Sequence, residues 1–312
     1  MTVWSICLLL ILRQEKPTKA PSLLKKIKSV KTEDKVTVKV TGGPGEATDI
    51  VKKHLREAED FVRVYACGGD GTANEVLRGV IGFKNCALGV IPMGSGNDFV
   101  RSFEENTKED FINIEAMMFG EDTAIDVMEC QGRYSMNNMS VGFDAAVAKN
   151  VDKFKRLPFV SGSLAYKISI VYCLFTKRKH RYRMITDGKE YVSSKAKTLL
   201  AVAGNGKYYG GGIKATPLAQ FADGKIEFMH IATIPLLKFI LLIGTYIKGD
   251  HIDNPKFPFV KHTKCESITF ESEDEIDIGF DGEILSLKNP TVRIIPAAVR
   301  IIIPKVKELV AA

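Results

Sequence analysis

What this chain lacks narrows it first. Its six cysteines (Cys7, Cys67, Cys86, Cys130, Cys173, Cys265) have no paired spacing, and its five histidines have no ligand spacing. No zinc site is expected, and a reducing compartment is. Several of the cysteines lie in apolar runs and read as small core residues. No apolar run is long enough to cross a bilayer. Residues 3–12 are apolar throughout, but no basic residue precedes them, so they make a poor signal peptide. They read better as the first strand of a buried parallel sheet. The other long run is 234–247, where Lys238 and the length argue for a helix packed in a core; an exposed apolar face touching lipid is the alternative. There is no internal repeat, no low-complexity tract and no interleaved aromatic motif of an RNA-binding module.

What is present is ordinary globular composition: 312 residues, 45% hydrophobic and 26% charged, long enough for two domains with separate cores. The formal net charge is +7, partly concentrated in Lys153, Lys155 and Arg156 and in the run from Lys177 to Arg183. Such clusters are either a solvated face or the footprint of an anionic partner. No nucleic acid is expected.

The first ~125 residues alternate strands and helices. Strand 3–12 leads to a basic helix around 22–30. Strand 35–40 runs into a glycine turn after Thr41, and helix 47–58 carries Ile50, Val51, His54 and Leu55 on one face. After about Asp126 short strands dominate, at 127–130, 134–141, 182–186, 199–204, 225–231, 267–271, 276–280, 291–295 and 299–303. Helices are expected at 142–155, 163–175 and 235–248. The pattern is a parallel α/β domain followed by a β-rich domain of the sandwich kind.

Two turns carry the chemistry. Gly68-Gly69-Asp70-Gly71-Thr72-Ala73-Asn74-Glu75 follows an apolar strand and opens a helix. Strand, glycine turn and helix put bare amides and a helix amino end at one point, which attracts phosphate. The glycines remove obstructing side chains and permit positive φ. About twenty residues on, Pro92-Met93-Gly94-Ser95-Gly96-Asn97-Asp98 repeats the arrangement. Either turn alone could be a plain strand-to-helix connection; two together favour a phosphate site.

With these motifs laid out, the chain resembles the diacylglycerol kinase catalytic family, particularly the bacterial soluble lipid kinases. The resemblance runs from about Thr41 to the C-terminus. It rests on Gly68–Glu75 and Pro92–Asp98, on Asn138-Met139-Ser140-Val141-Gly142-Phe143-Asp144, on Gly204-Asn205-Gly206, on Pro217 with Asp223-Gly224, and on Phe280-Asp281-Gly282-Glu283. It implies a Rossmann-like parallel α/β domain of the NAD kinase and phosphofructokinase type over 1–126, with the segment from about 300 to 312 packing back on it. It also implies a β-sandwich lipid-substrate domain over 127–299. The implied reaction is transfer of the γ-phosphate of ATP, with Mg²⁺, to the hydroxyl of diacylglycerol or a similar lipid alcohol.

The resemblance distributes roles. Backbone amides of Gly68, Gly69, Asp70 and Gly71 would hold ATP phosphates, with Thr41, Thr72, Asn74, Ser95 and Asn97 beside the nucleotide; Thr72 and Asn74 could equally cap a helix. Asp70 and Asp98 stand beside a phosphate site, where a Mg²⁺ bridge makes sense of them; otherwise they are acids at helix amino ends. Asp223 matches an aspartate that holds a structural Mg²⁺, with backbone carbonyls near Gln220 and Lys225; standing alone, it would belong to an ordinary turn. Glu283 matches the general base, and Asp281 would orient Glu283 or a metal-bound water.

One segment departs from the family pattern. The strand after Leu12 runs into Arg13-Gln14-Glu15-Lys16-Pro17, without the Asn-Pro and glycine turn such proteins normally show. Either residues 1–20 arise from a wrong start or frameshift, or the chain is a variant with weakened catalysis. The expected setting is cytoplasmic, at the inner membrane surface, with a homodimer possible in principle. The competing readings are a soluble kinase of the NAD kinase type and a lipid-binding regulator.

Overall fold

The computed structural model describes residues 7–13, 35–155 and 162–305. The expected helix at 22–30, the atypical turn at 14–21 and the last seven positions (306–312) lie outside the described residues. Residues up to Asp126, together with those from Pro296 onward, form one compact unit; Val127–Ile295 form the other.

The first unit is built on β1 (Cys7–Arg13), β2 (Lys35–Thr41), β3 (Val62–Gly68) and β4 (Cys86–Pro92). They pair in parallel in the order β2-β1-β3-β4, and Ile301 and Ile302 extend the sheet beside β4. β3 and β4 are almost wholly buried, as expected of parallel strands covered on both faces. Arg13 pairs with Thr41 and Gly68 with Pro92, so β2, β3 and β4 end along one edge. That is the edge at which parallel α/β sheets bind ligands. Helix α1 (Glu46–Glu57) buries Ala47, Val51 and Leu55. It lies so close to α2 (Asp70–Val80) that a β-carbon on Gly79 would meet Val51 at 2.6 Å. Three short helices follow, α3 (Asp98–Arg101), α4 (Lys108–Ile112) and α5 (Ile114–Met118). The sequence pattern gave no sign of α4 and α5, each of which is barely more than a turn.

The boundary between the units falls within β5 (Glu121–Cys130). The second unit continues with β6 (Arg133–Ser135), β7 (Asn138–Gly142), α6 (Phe143–Lys155) and α7 (Gly162–Thr176). Then come β8 (Arg183–Thr186), β9 (Lys189–Val192), β10 (Thr198–Gly204), β11 (Ile226–Ala232) and α8 (Leu236–Lys248). The last strands are β12 (Val260–Cys265), β13 (Ser267–Glu271), β14 (Ile276–Phe280), β15 (Glu283–Leu287) and β16 (Thr291–Ile303). One antiparallel sheet has the order β12-β11-β10-β7-β14-β15. Against it stand β13 with the start of β16, β8 and β9, also antiparallel. Alternation along β10 divides two cores. Ala201 and Ala203 point between the sheets with Phe228, Phe270 and Ile278, whereas Leu200 and Val202 point into a layer shared with Phe143, Cys173 and Tyr246. This is a β-sandwich with helices on its outer face.

Three expectations need correction. The separate strands at 291–295 and 299–303 are one strand, β16, bent at Pro296 and Ala297; Ala297 has φ 49°, and its amide donates to Asp126 at 2.9 Å. The expected strand 134–141 is broken at Met136 and Asn137, where the backbone turns toward the Asp281 carboxylate. The apolar run 234–247 does form a helix, but of α8 only Tyr246 is buried. Phe239, Leu242 and Ile243 pack on the core, while Leu237 (70% exposed) and Leu241 (72% exposed) face outward.

Candidate active site

In the first unit the two glycine turns are braced against each other. Met93 N–H donates to Gly68 O at 2.8 Å, and a β-carbon on Gly94 would lie 2.6 Å from the α-carbon of Gly69. At Gly68 a β-carbon would meet the Thr72 hydroxyl at 2.4 Å. Gly68, Gly69 and Gly71 all keep φ outside the left-handed region. Gly68 and Gly69 are therefore required by close approach and not, as the sequence suggested, by positive φ. Gly71 differs from its neighbours: nothing lies within 4 Å of where its β-carbon would stand.

The first intrahelical bond of α2 runs from Ala73 N–H to Gly69 O at 3.1 Å. The amides of Asp70, Gly71 and Thr72 consequently have no acceptor within the helix, and no side chain caps it. Amides left in this way, beside open space at Gly71, suit a phosphate.

The acids of these turns have structural duties. Asp70 accepts Asn97 N–H at 2.8 Å and Asp98 N–H at 2.9 Å, so it caps α3 from a distance. Asn97, in the left-handed conformation with φ 55°, accepts Gly94 N–H at 3.0 Å and donates to Gly94 O at 2.7 Å. Both its polar atoms close the second turn. Asp98 is buried, with Oδ1 3.9 Å from Arg101 Nε. Thr41, Thr72 and Asn74 are buried, and Ser95 is exposed at the tip of its turn. The sequence reading gave no role to Glu75, yet it ties the turn after Thr41 to α2. Its carboxylate accepts Gly45 N–H at 2.9 Å, and its carbonyl accepts the Thr48 hydroxyl at 2.7 Å.

In the second unit the motifs around Asn138, Asn205 and Asp281 meet in one buried polar knot. Asp281, at φ 44°, accepts the Ser135 hydroxyl at 2.8 Å, Met136 N–H at 3.1 Å and Asn138 N–H at 2.9 Å. These bonds bend the chain at 136–137 and so divide β6 from β7. Asn205 N–H and Gly206 N–H both donate to Asn137 O at 2.9 Å. Asn205 Nδ2 reaches Met136 O at 2.8 Å. The Thr216 hydroxyl donates to Gly206 O at 2.8 Å and lies 3.2 Å from Asn138 Oδ1. A β-carbon on Gly206 would be 1.9 Å from Asn137 Oδ1. Segments near 137, 205, 216 and 281 are thus held together by residues of which Ser135, Asn137 and Thr216 gave no signal in sequence. Glu283 emerges from this knot, exposed, at the start of β15.

Asp223 lies elsewhere in the second unit. Its Oδ1 accepts Lys225 N–H at 3.0 Å, and its Oδ2 is 2.6 Å from Lys264 Nζ. Gln220 is exposed, and Lys225 pairs through Nζ with Glu266 at 2.6 Å. Among the described residues no cluster of three or more His, Cys, Asp or Glu side chains could hold a metal ion. Asp70 and Asp223, both expected at Mg²⁺, take amide or ammonium donors from the protein itself. As arranged, they do not fit as an open ligand set.

Comparison with known proteins covers both units. Residues 8–130 match the diacylglycerol kinase catalytic domain, and residues 137–303 match the YegS C-terminal NAD kinase beta sandwich-like domain. A diacylglycerol kinase of Mycobacterium tuberculosis (strain H37Rv) is 27% identical over 274 residues, covering 86% of this chain and 85% of that protein. A diacylglycerol kinase of Bacillus subtilis (strain 168) is 27% identical over 241 residues, 77% of this chain and 76% of that one. The crystal structure of a diacylglycerol kinase from Bacillus anthracis str. Sterne superposes with a TM-score of 0.71 at 19% identity, covering 97% of this chain and 98% of that one. That likeness speaks for the fold.

Proposed function

We infer the reaction from one premise: the chain belongs to the diacylglycerol kinase catalytic-domain family of lipid kinases. We propose that it transfers the γ-phosphate of ATP to the hydroxyl of diacylglycerol or a closely similar lipid alcohol, giving phosphatidate or the analogous lipid phosphate. The observation that carries this reading is the pair of braced turns. They leave the amides of Asp70, Gly71 and Thr72 without helical acceptors and leave the space over Gly71 open.

In this reading the first unit supplies the phosphate-binding turn. Amides fixed by the Gly69–Gly94 contact would meet the phosphates without reorganising, which is the main catalytic resource in phosphoryl transfer. The second unit supplies the base. Glu283 would accept the proton of the attacking lipid hydroxyl, and Asp281 would act through position, by fixing the backbone from which Glu283 projects. Mg²⁺ commonly neutralises the phosphates in such reactions. Asp70 and Asp223 are engaged by protein donors, so no step is assigned to a cation held by them.

The test is label transfer. Purified protein with γ-labelled ATP is offered mixed micelles of diacylglycerol, ceramide and a polyprenol, beside a Glu283→Gln variant. Label in diacylglycerol that is lost in the variant is the expected result. Label in none of the lipids, from protein that melts cooperatively, would overturn the assignment.

A further inference from the structure

The segment that joins β10 to β11 feeds the polar knot at both of its ends. At the near end Asn205 and Gly206 donate to Asn137 O, and Asn138 Nδ2 donates to Tyr208 O at 2.8 Å. At the far end the Thr216 hydroxyl donates to Gly206 O at 2.8 Å and lies 3.2 Å from Asn138 Oδ1. Thr216 stands so close to β10 that a β-carbon on Gly204 would be 2.2 Å from its Oγ1. Its position is thus tightly bounded. The chain that leads to it is loose by composition: Gly210, Gly211 and Gly212 follow one another at φ 62°, 88° and 122°. Glycine loses more conformational freedom on ordering than any other residue, so a run of three cannot by itself fix where Thr216 stands.

The fixing comes from the C-terminal end of α8. Lys214 N–H donates to Ile247 O at 3.0 Å, and the Tyr209 and Tyr246 hydroxyls are 3.4 Å apart. Just past α8, His251 places Nε2 3.0 Å from Ala215 O, the carbonyl immediately before Thr216. Ala215, Thr216 and His251 are all buried. A carbonyl only accepts, so Nε2 carries the hydrogen and the contact sets the tautomer. The ring packs against Tyr246, with centroids 4.8 Å apart, and against Phe257 at 6.2 Å. Burial lowers its pKa from the ordinary 6.5, against the backbone of Ala215 and Tyr246, which raises it. The imidazole is therefore neutral at pH 7.

We propose that His251 is a positioning residue for phosphoryl transfer: its bond from Nε2 to Ala215 O fixes Thr216 and, through the knot, the backbone from which Glu283 projects. The line of contacts is continuous. Thr216 meets Asn138, Asn138 N–H donates to Asp281 at 2.9 Å, and Asp281 stands two residues before Glu283. The inference rests on the kinase reading for its activity arm alone; its structural arm is measured without ATP or lipid.

Two variants separate the bond from the ring. H251Q keeps a donor at the reach of Nε2 and gives up the aromatic ring. H251F keeps a ring and gives up the donor. Hydrogen exchange of the full chain, read at the amides of Met136, Asn138, Asn205 and Gly206, reports the knot, and steady-state kinetics report the reaction. In H251F exchange at these amides should quicken by about tenfold, as for one lost hydrogen bond. Its kcat should fall by roughly ten- to a hundredfold, with KM for ATP unchanged because the phosphate turns belong to the first unit. H251Q should stay near the parent in both measurements. Imidazole nitrogen shifts of the parent, assigned by the signal that H251Q removes, should show the Nε2–H tautomer. An H251F protein with the parent's exchange and kcat would overturn the proposal, as would an Nδ1–H tautomer. So would a fall in kcat without a change in exchange, since the effect would then bypass the knot. An H251Q protein as impaired as H251F would overturn it too, by assigning the effect to packing of the ring. If H251F does not melt cooperatively, the tautomer and H251Q decide. If the parent labels no lipid, the kinase reading falls; slow exchange in H251Q beside fast exchange in H251F would leave the brace standing.

Discussion

Gly69 and Gly94 approach so closely that a β-carbon on Gly94 would stand 2.6 Å from the α-carbon of Gly69. Both sides of this contact are backbone, so no side chain can move aside. The two turns hold each other in place through it, with Met93 N–H to Gly68 O alongside. Gly94→Ala should therefore cost about 1–3 kcal/mol of stability, as overpacking does, and should lower ATP affinity as well by displacing the first turn. Thermal melting with nucleotide titration would check it; an alanine variant as stable as the parent would show that the turns are not locked.

Gly71 gives the complementary experiment. It opens α2, has no positive φ, and has nothing within 4 Å of its missing β-carbon. Alanine in its place should leave the fold intact or stabilise it by up to about 1 kcal/mol, since glycine is the poorer helix former. If the open space accommodates a phosphate, ATP should bind on the order of tenfold more weakly, a loss of about 1.4 kcal/mol. Stability and affinity would then move in opposite directions, which a packing role cannot produce. Calorimetric melting and ATP titration on the same sample would show which holds.

Asp281 and Glu283 are two residues apart and should fail differently. Asp281→Ala strands the amides of Met136 and Asn138 and leaves the Ser135 hydroxyl only the Asn138 carbonyl at 3.2 Å. The expected loss is at least about 2 kcal/mol of stability, with activity falling because the knot loosens. Glu283→Gln changes an exposed side chain at a strand start and should shift stability by no more than about 0.5 kcal/mol. Its effect belongs to turnover, with kcat down by about 10²–10⁴ if the carboxylate is the base. Steady-state kinetics beside urea unfolding separates the two; a Glu283→Gln enzyme with normal kcat would remove it from the reaction.

The parallel sheet of the first unit was legible because β3, broken only by Arg63, and β4 are apolar runs, each followed by a glycine turn. The succession of short strand-like runs after Asp126 made the β-rich second unit legible. What stayed hidden was which polar atoms are consumed by the fold itself. Asp70, Asn97 and Asp223 have the right chemistry for ligands, and sequence spacing cannot reveal that Asp70 caps a helix whose first amides lie 27 and 28 residues away or that Asp223 meets Lys264. Asn137 and Thr216 were missed for the converse reason: their partners come from segments far along the chain, and neither sits in a recognisable motif. For α8 the sequence left two readings open, a helix packed in a core and one with an exposed apolar face, because an apolar run has the same composition in both; the exposure of Leu237 and Leu241 shows that one face points outward.

Asp144, at the start of α6, should make stability depend on pH. Burial pushes its carboxyl up from the ordinary 3.8 to about 6, against the Ser140 and Tyr209 side chains and local backbone, which pull it down. A carboxyl whose pKa is higher in the folded state prefers to fold protonated. Below about pH 4 both states carry the proton and no cost is felt. As pH rises through the interval up to about 6, the unfolded chain ionises first, and folding must increasingly hold the proton or bury the charge; above about 6 the cost is complete. A rise of that size corresponds to about 3 kcal/mol. Asp144→Asn removes the titration, so the stability of the parent relative to the variant should fall by up to about 3 kcal/mol between about pH 4 and pH 7 and then level off. Urea unfolding of both proteins across that range would check it. Parallel curves would mean that Asp144 is solvated well enough to ionise normally, and that the hydroxyls of Ser140 and Tyr209 offset its burial in full.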